Sequence, residues 1–181
     1  MKKLIIIVSI LLMSTYMNAQ ISKASLTASG LTCSMCSRAI FKSLEKVNFI
    51  DKVNANIAES SFEITFKKDA VVDLDAIRKA VEDAGFSVAK LQFTAHFDNT
   101  AIDNDVMVKV DNENLHFLNV NAQTLSGDKV LTVVDQHFVS DKEHKKYAQY
   151  STMKCFTTGT VEACCSKDGS DKGERMYHVT I

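Results

Sequence analysis

The amino-acid sequence predicts an α+β fold: a βαββαβ sandwich over residues 20–93, followed by a small, mostly-β unit over residues 94–181. Two observations predict the first part: short runs in which apolar residues alternate with polar ones, and two stretches between them with apolar residues at helical spacing. A third predicts the second part. Beyond Phe93 strand patterns recur, with a single charged helix candidate among them.

Lys23–Ser29 alternates through Ala24, Leu26 and Ala28 and reads as the first strand. Ser34–Lys46 places Ile40, Leu44 and the following Val47 at spacings of four and three, one stripe of an amphipathic helix. Phe49–Ile57 alternates again through Val53, Ala55 and Ile57. The polar break Glu59-Ser60-Ser61 follows, and Phe62, Ile64 and Phe66 complete a hairpin. Asp73 is a natural N-cap for a second helix lined by Leu74, Ile77, Val81 and Ala84. Gly85 ends that helix, and Phe86–Phe93 is the last strand of the unit. This order is that of a ferredoxin-like sandwich, with two helices on one face of an antiparallel sheet.

In the second part, Asp98–Asn104 is polar and reads as a loop. Val106–Val110, Leu115–Val120, Lys129–Val134 and Arg175–Ile181 read as strands, with turns at Asn112-Glu113-Asn114 and Ser126-Gly127-Asp128. Ser140–Tyr150 is a helix candidate capped by Ser140. A five-stranded OB-like barrel fits this order, and so does a sandwich.

Residues 1–19 read as a secretory leader. Lys2 and Lys3 precede a largely apolar run, Leu4–Met13, and a small-residue stretch ends at Ala19. That run is shorter than the roughly 20 residues a spanning helix needs, so no stable membrane insertion is expected after cleavage. Export, most simply to a periplasm, is the expectation. The net charge of −1 becomes slightly more acidic once Lys2 and Lys3 are lost. It leaves no basic footprint for nucleic acid.

The chemistry concentrates in Gly30-Leu31-Thr32-Cys33-Ser34-Met35-Cys36, at the junction of the first strand and helix. Two thiols three positions apart can share one soft ion, and Cu(I) or Hg(II) accepts two such ligands. A structural zinc site wants four, and the first unit has no other Cys or nearby His to supply them. Cys36 falls in the first helical turn, where open backbone N–H groups favour an anion. A Cys-x-x-Cys is equally the motif of thiol redox proteins. Here the order of strands and helices differs from theirs, and no cis-proline can face the thiols because the chain contains no proline.

The motif, the βαββαβ order and Glu82-Asp83-Ala84-Gly85-Phe86 before the last strand resemble the heavy-metal-associated domain over residues 21–93. That family includes copper chaperones, domains of copper-transporting ATPases and a periplasmic mercuric-ion-binding protein. The resemblance implies metal ligation by Cys33 and Cys36, with Cu(I) first and Hg(II), Ag(I) or Zn(II) as other ions. It also implies a metal-transport or metal-accepting protein as partner. Leu31 stands where the family has Met packed under the loop, and Phe86 where bacterial members carry Tyr or Phe beside it.

Cys155, Cys164 and Cys165 admit two readings. One is a structural disulfide with a spare thiol, as export permits. The other is a second soft-metal site gathered from Met153, Cys155, Cys164, Cys165, Met176 and His178. His96, His116 and His137 lack partners at ligand spacing and read as packing or surface residues, and His144 as part of a solvated helix face. No nucleophile–base arrangement, phosphate-binding glycine loop or carboxylate pair points to an enzyme. The expectation is therefore a monomeric, exported soft-metal carrier. A thiol-disulfide redox protein and an exported interaction module with a structural disulfide are the alternatives.

Overall fold

The computed structural model describes residues 21–31, 33–110, 113–162 and 171–181. The leader and Cys164 and Cys165 lie outside these residues. The elements are β1 (Ile21–Ser29), α1 (Ser34–Leu44), β2 (Ile50–Asn56), β3 (Ser61–Phe66), α2 (Leu74–Asp83) and β4 (Ser87–Ile102). They continue with β5 (Val106–Val110), β6 (Glu113–Phe117), β7 (Gln123–Val133), α3 (Asp141–Tyr147), α4 (Cys155–Thr158) and β8 (Met176–Thr180). No helix among the described residues is long and apolar enough to cross a membrane.

The first six elements form as their patterns dictate. Ala24, Leu26 and Ala28 of β1 are buried, as are Ile40 and Leu44 of α1 and Leu74, Ile77 and Val81 of α2. The Asp73 carboxylate accepts from the Ala76 N–H at 3.1 Å and caps α2. At the other end Phe86 N–H donates to the Val81 carbonyl and Gly85 N–H to that of Glu82, with Gly85 at φ +87°. This pair of bonds is the Schellman arrangement, which needs a left-handed residue. Of the β2 alternation only Val53 is buried. Ala55 is exposed, and Ile57 stands past the strand end, 57% exposed.

The eight strands of the described residues belong to one sheet in the order β2-β3-β1-β4-β7-β8-β6-β5. Of these strands only β6 and β8 pair in parallel. The expected OB-like barrel is not what forms, because β4 is one 16-residue strand shared by both halves. Residues Ser87–Ala95 pair with β1, while Gln92–Ile102 pair with β7, so the boundary expected after Phe93 falls inside a strand. The polar run read as a loop contains a β-bulge: Phe97 faces Gly127 and Thr100 faces Leu125, leaving Asp98 and Asn99 opposite Ser126. Asn99 at φ +47° and Gly127 at φ +71° absorb the kink, so the turn expected at Ser126-Gly127-Asp128 lies within β7. Glu113 and Asn114, also read as a turn, open β6; Asn112 is outside the described residues.

The main core lies between this sheet and α1 and α2, and it runs on into the second half through Leu115, Phe117, Tyr177 and Val179. Asp75 N–H, in the first turn of α2, donates to the Tyr177 hydroxyl at 3.1 Å. Side chains alternate across a strand. His116 and His178 therefore point to the opposite face, which two smaller clusters around Cys155 and Phe156 cover.

Candidate functional site

The Cys-x-x-Cys loop is built by the strand-to-helix turn. Gly30 leaves β1 at φ +81°, a left-handed conformation that residues with a Cβ resist. Cys33 is then extended, at φ −156° and ψ 162°, and its carbonyl accepts from the N–H groups of Cys36 and Ser37 at 3.1 and 3.4 Å. No side chain caps this helix at Cys33 and its first turn carries no acidic residue, so its positive end is left to the thiols.

The two sulfurs lie 3.1 Å apart, Cys33 exposed and Cys36 half-buried. Leu31 is half-buried against the main core. Phe86 flanks it: a Cβ on Gly30 would touch the Phe86 ring at 3.9 Å. Among the described residues no third Cys, His, Asp or Glu joins Cys33 and Cys36 in a ligand cluster. Beside the thiols a shallow groove is lined by Met35, Arg38, Phe41, Lys42, Ala55 and Ile57, with Met35 72% exposed.

A second group forms on the far face of the sheet. His116, Cys155 and His178 are all buried, and one ligand atom from each lies within 4.8 Å of the others. The two histidines are register partners on β6 and β8, and Cys155 opens α4 above them, its Sγ 3.8 Å from His116 Nδ1. His116 Nε2–H donates to Asp105 Oδ1 at 2.9 Å, and His178 Nδ1–H donates to Asp135 Oδ1 at 2.5 Å. An ionised carboxylate only accepts, so these contacts fix both protons on the outer nitrogens. Burial, reinforced by His178 and opposed by Asp105, pushes His116 down to about 4, so its ring is neutral at neutral pH.

Asp135 in turn receives Arg175 at 2.9 Å, and Arg175 reaches Asp75 of α2 at 2.7 Å. Burial opposes the Arg175 charge, but Asp135 and Asp75 override it and raise its pKa. Burial alone would raise the Asp75 carboxyl, yet Arg175 and Arg78 hold it below its ordinary value.

Of the second-site residues named from sequence, Cys155 and His178 come together. Met153 and Met176 pack around Cys155, with Met107, in one apolar cluster. Cys164 and Cys165 lie outside the described residues. His116, read as a packing residue, is part of the group. Its position between the core residues Leu115 and Phe117, like that of His178 between Tyr177 and Val179, was the available signal. Each histidine had to face away from the main core, but the register that joins them is not written locally. His144 is likewise not on a solvated face: its ring stacks on Phe156 at 4.4 Å, and its Nδ1–H donates to the Val134 carbonyl at 3.1 Å.

Residues 25–87 match the heavy-metal-associated domain. The mercuric transport protein periplasmic component of Serratia marcescens is 33% identical over 86 residues, which cover 48% of this chain and 93% of that protein. The chain belongs to the heavy-metal-associated domain family. Its family segment ends at residue 87, where β4 begins, and β7, β8, β6 and β5 continue the same sheet beyond β4. A copper-transporting ATPase of Helicobacter pylori is 35% identical over 68 residues, 38% of this chain but only 9% of the ATPase. The structure of oxidized MerP from Ralstonia metallidurans CH34 is similar at 31% identity, covering 38% of this chain and 97% of that one, with a TM-score of 0.35.

Proposed function

We propose that this heavy-metal-associated protein is an exported soft-metal carrier that binds Cu(I) between Cys33 and Cys36 and exchanges it with a metal-transport or metal-accepting partner. The observation that carries this reading is the loop itself: two thiols of a Cys-x-x-Cys at an uncapped helix start, one exposed and one half-buried. Two thiolates satisfy Cu(I) and leave zinc short of ligands. An open two-ligand site lets an incoming thiol pair replace one ligand at a time, which suits transfer better than storage.

The groove beside the loop offers the partner an apolar strip of Met35, Phe41 and Ile57 edged by Arg38 and Lys42. A partner with an acidic rim around its own thiols fits it. The relation to the mercuric transport component makes Hg(II) the next ion to consider and favours a periplasmic location. The protein acts as a monomer and performs no catalysis. Titration of reduced protein with Cu(I) against a competing chelator tests the site. Tight binding by Cys33 and Cys36 should vanish from C33S/C36S at that affinity; a loop signal unchanged by both substitutions would contradict it.

A second reading, thiol-disulfide exchange, draws on the 3.1 Å separation of the sulfurs, from which a bond of about 2.0 Å is a short movement. Turnover with a dithiol reductant would favour that reading over metal transfer.

A further inference from the structure

We infer that His116, Cys155 and His178 form a second, buried Cu(I) site, separate from the Cys-x-x-Cys loop. Parallel pairing sets His116 directly beside His178, and Met107 is the register partner of His116 on β5. One row across three strands therefore carries thioether, imidazole and imidazole on the face that Cys155 covers.

The protons are already arranged for a metal. Metal-binding histidines commonly give their other N–H to a carboxylate, which fixes the tautomer and makes the free nitrogen a better donor. Both histidines do this, to Asp105 and Asp135. The nitrogens left over are His116 Nδ1 and His178 Nε2. The latter is fully buried and has no hydrogen-bond partner among the described residues, a costly condition for a polar atom. A metal ion would satisfy it.

The geometry has the right scale. With metal–nitrogen bonds of about 2.0 Å and metal–sulfur bonds of about 2.3 Å, a trigonal site has ligand–ligand edges of about 3.5–3.8 Å. The edge from Cys155 Sγ to His116 Nδ1 is 3.8 Å, and all three ligand atoms fall within 4.8 Å. A small inward shift closes the triangle.

Charge and coordination select the ion. Two neutral imidazoles and one thiolate carry a single negative charge, which Cu(I) cancels within the ligand set. Among the described residues no fourth Cys, His, Asp or Glu joins the three, and a structural zinc would need one. Met107, Met153 and Met176 pack around Cys155 and suit a soft monovalent ion. As the copper–sulfur bond forms, Cys155 releases its thiol proton to solvent.

The test uses the full chain carrying C33S/C36S, so that the loop cannot contribute. Reduced, anaerobic protein is titrated with Cu(I) against a chromogenic chelator. One Cu(I) per chain is expected, with an X-ray absorption spectrum of one sulfur and two nitrogen neighbours. Adding Cys155→Ser should weaken binding at least 100-fold, and Asp135→Asn by about 10- to 100-fold. Circular dichroism checks that each variant stays folded, and the spectrum of C33S/C36S decides the matter even if the further variants do not fold. Absence of bound copper in folded C33S/C36S, a shell without sulfur and nitrogen together, binding unchanged by Cys155→Ser, or preference for Zn(II) over Cu(I) would each overturn the assignment.

Discussion

His116 and His178 stand side by side on the parallel strands β6 and β8, their ring centroids 5.0 Å apart and tilted at 65°. Each gives its outer N–H to a carboxylate, so the inner nitrogens, His116 Nδ1 and His178 Nε2, are turned away from the carboxylates. The carboxylate behind His178 is also the one that binds Arg175, which extends to Asp75 on α2. A single chain of contacts thus joins the far-face cluster to the second helix of the heavy-metal-associated domain.

That chain makes Asp135 structurally important. Asp135→Ala would strip partners from a buried histidine and from Arg175 at once, and removing one member of a buried charged pair costs about 3–5 kcal/mol. Urea unfolding of metal-free protein should show a loss near the lower end of that range, because Asp75 still pairs with Arg175. Asp135→Asn, which keeps an acceptor, should cost less.

His116 gives the metal-free protein a pH dependence of definite sign. Its pKa is depressed from 6.5 to about 4 in the fold, so between those values the unfolded chain binds a proton that the native state does not. Stability is full above pH 6.5, falls as the pH drops towards 4, and levels off below. The shift sets a ceiling of roughly 3 kcal/mol on the loss, of which relaxation around the ring will return part. Urea midpoints for wild type and His116→Gln across that range should converge as the pH falls.

Gly30→Ala tests the loop backbone. The site has room for a methyl group, since the nearest atom is Phe86 Cδ1 at 3.9 Å, so the cost comes from φ +81° alone. About 1–2 kcal/mol of destabilisation is expected for a left-handed alanine. Relaxation of that strain should displace the cysteines and weaken Cu(I) binding without removing it.

Oxidation should switch the loop off. The sulfurs are 3.1 Å apart, whereas an ion bridging them linearly with bonds of about 2.3 Å would need a separation of about 4.6 Å. Opening favours metal and closing favours a disulfide, so the two states exclude each other. Thiol counts before and after mild oxidant should fall by two at Cys33 and Cys36 in step with the loss of loop metal binding, and dithiol reductant should restore both.

Legibility in the sequence followed the range of the interactions. The βαββαβ order was readable because β1, α1 and α2 bury residues such as Leu26, Ile40 and Ile77 at their own local periods, and because Asp73 and Gly85 act within one turn. The closeness of Cys33 and Cys36 was readable because one loop holds both. The single sheet was not. Asp98 and Asn99 look like a loop in composition, yet pairing with β7 turns them into a bulge within β4. His116 was missed for the same reason: its partners lie 39 and 62 residues away, at Cys155 and His178, and only the parallel register of β6 and β8 joins them.

The most direct test of the account is the metal environment of the loop when the far-face cluster is disabled. Reduced Cys155→Ser protein, loaded with one equivalent of Cu(I) without oxygen, should give an X-ray absorption spectrum of two sulfur neighbours in near-linear geometry. That spectrum should be lost when Cys33 and Cys36 are also serine. A shell dominated by nitrogen or oxygen, or the same two-sulfur spectrum in the triple variant, would contradict soft-metal capture by Cys33 and Cys36.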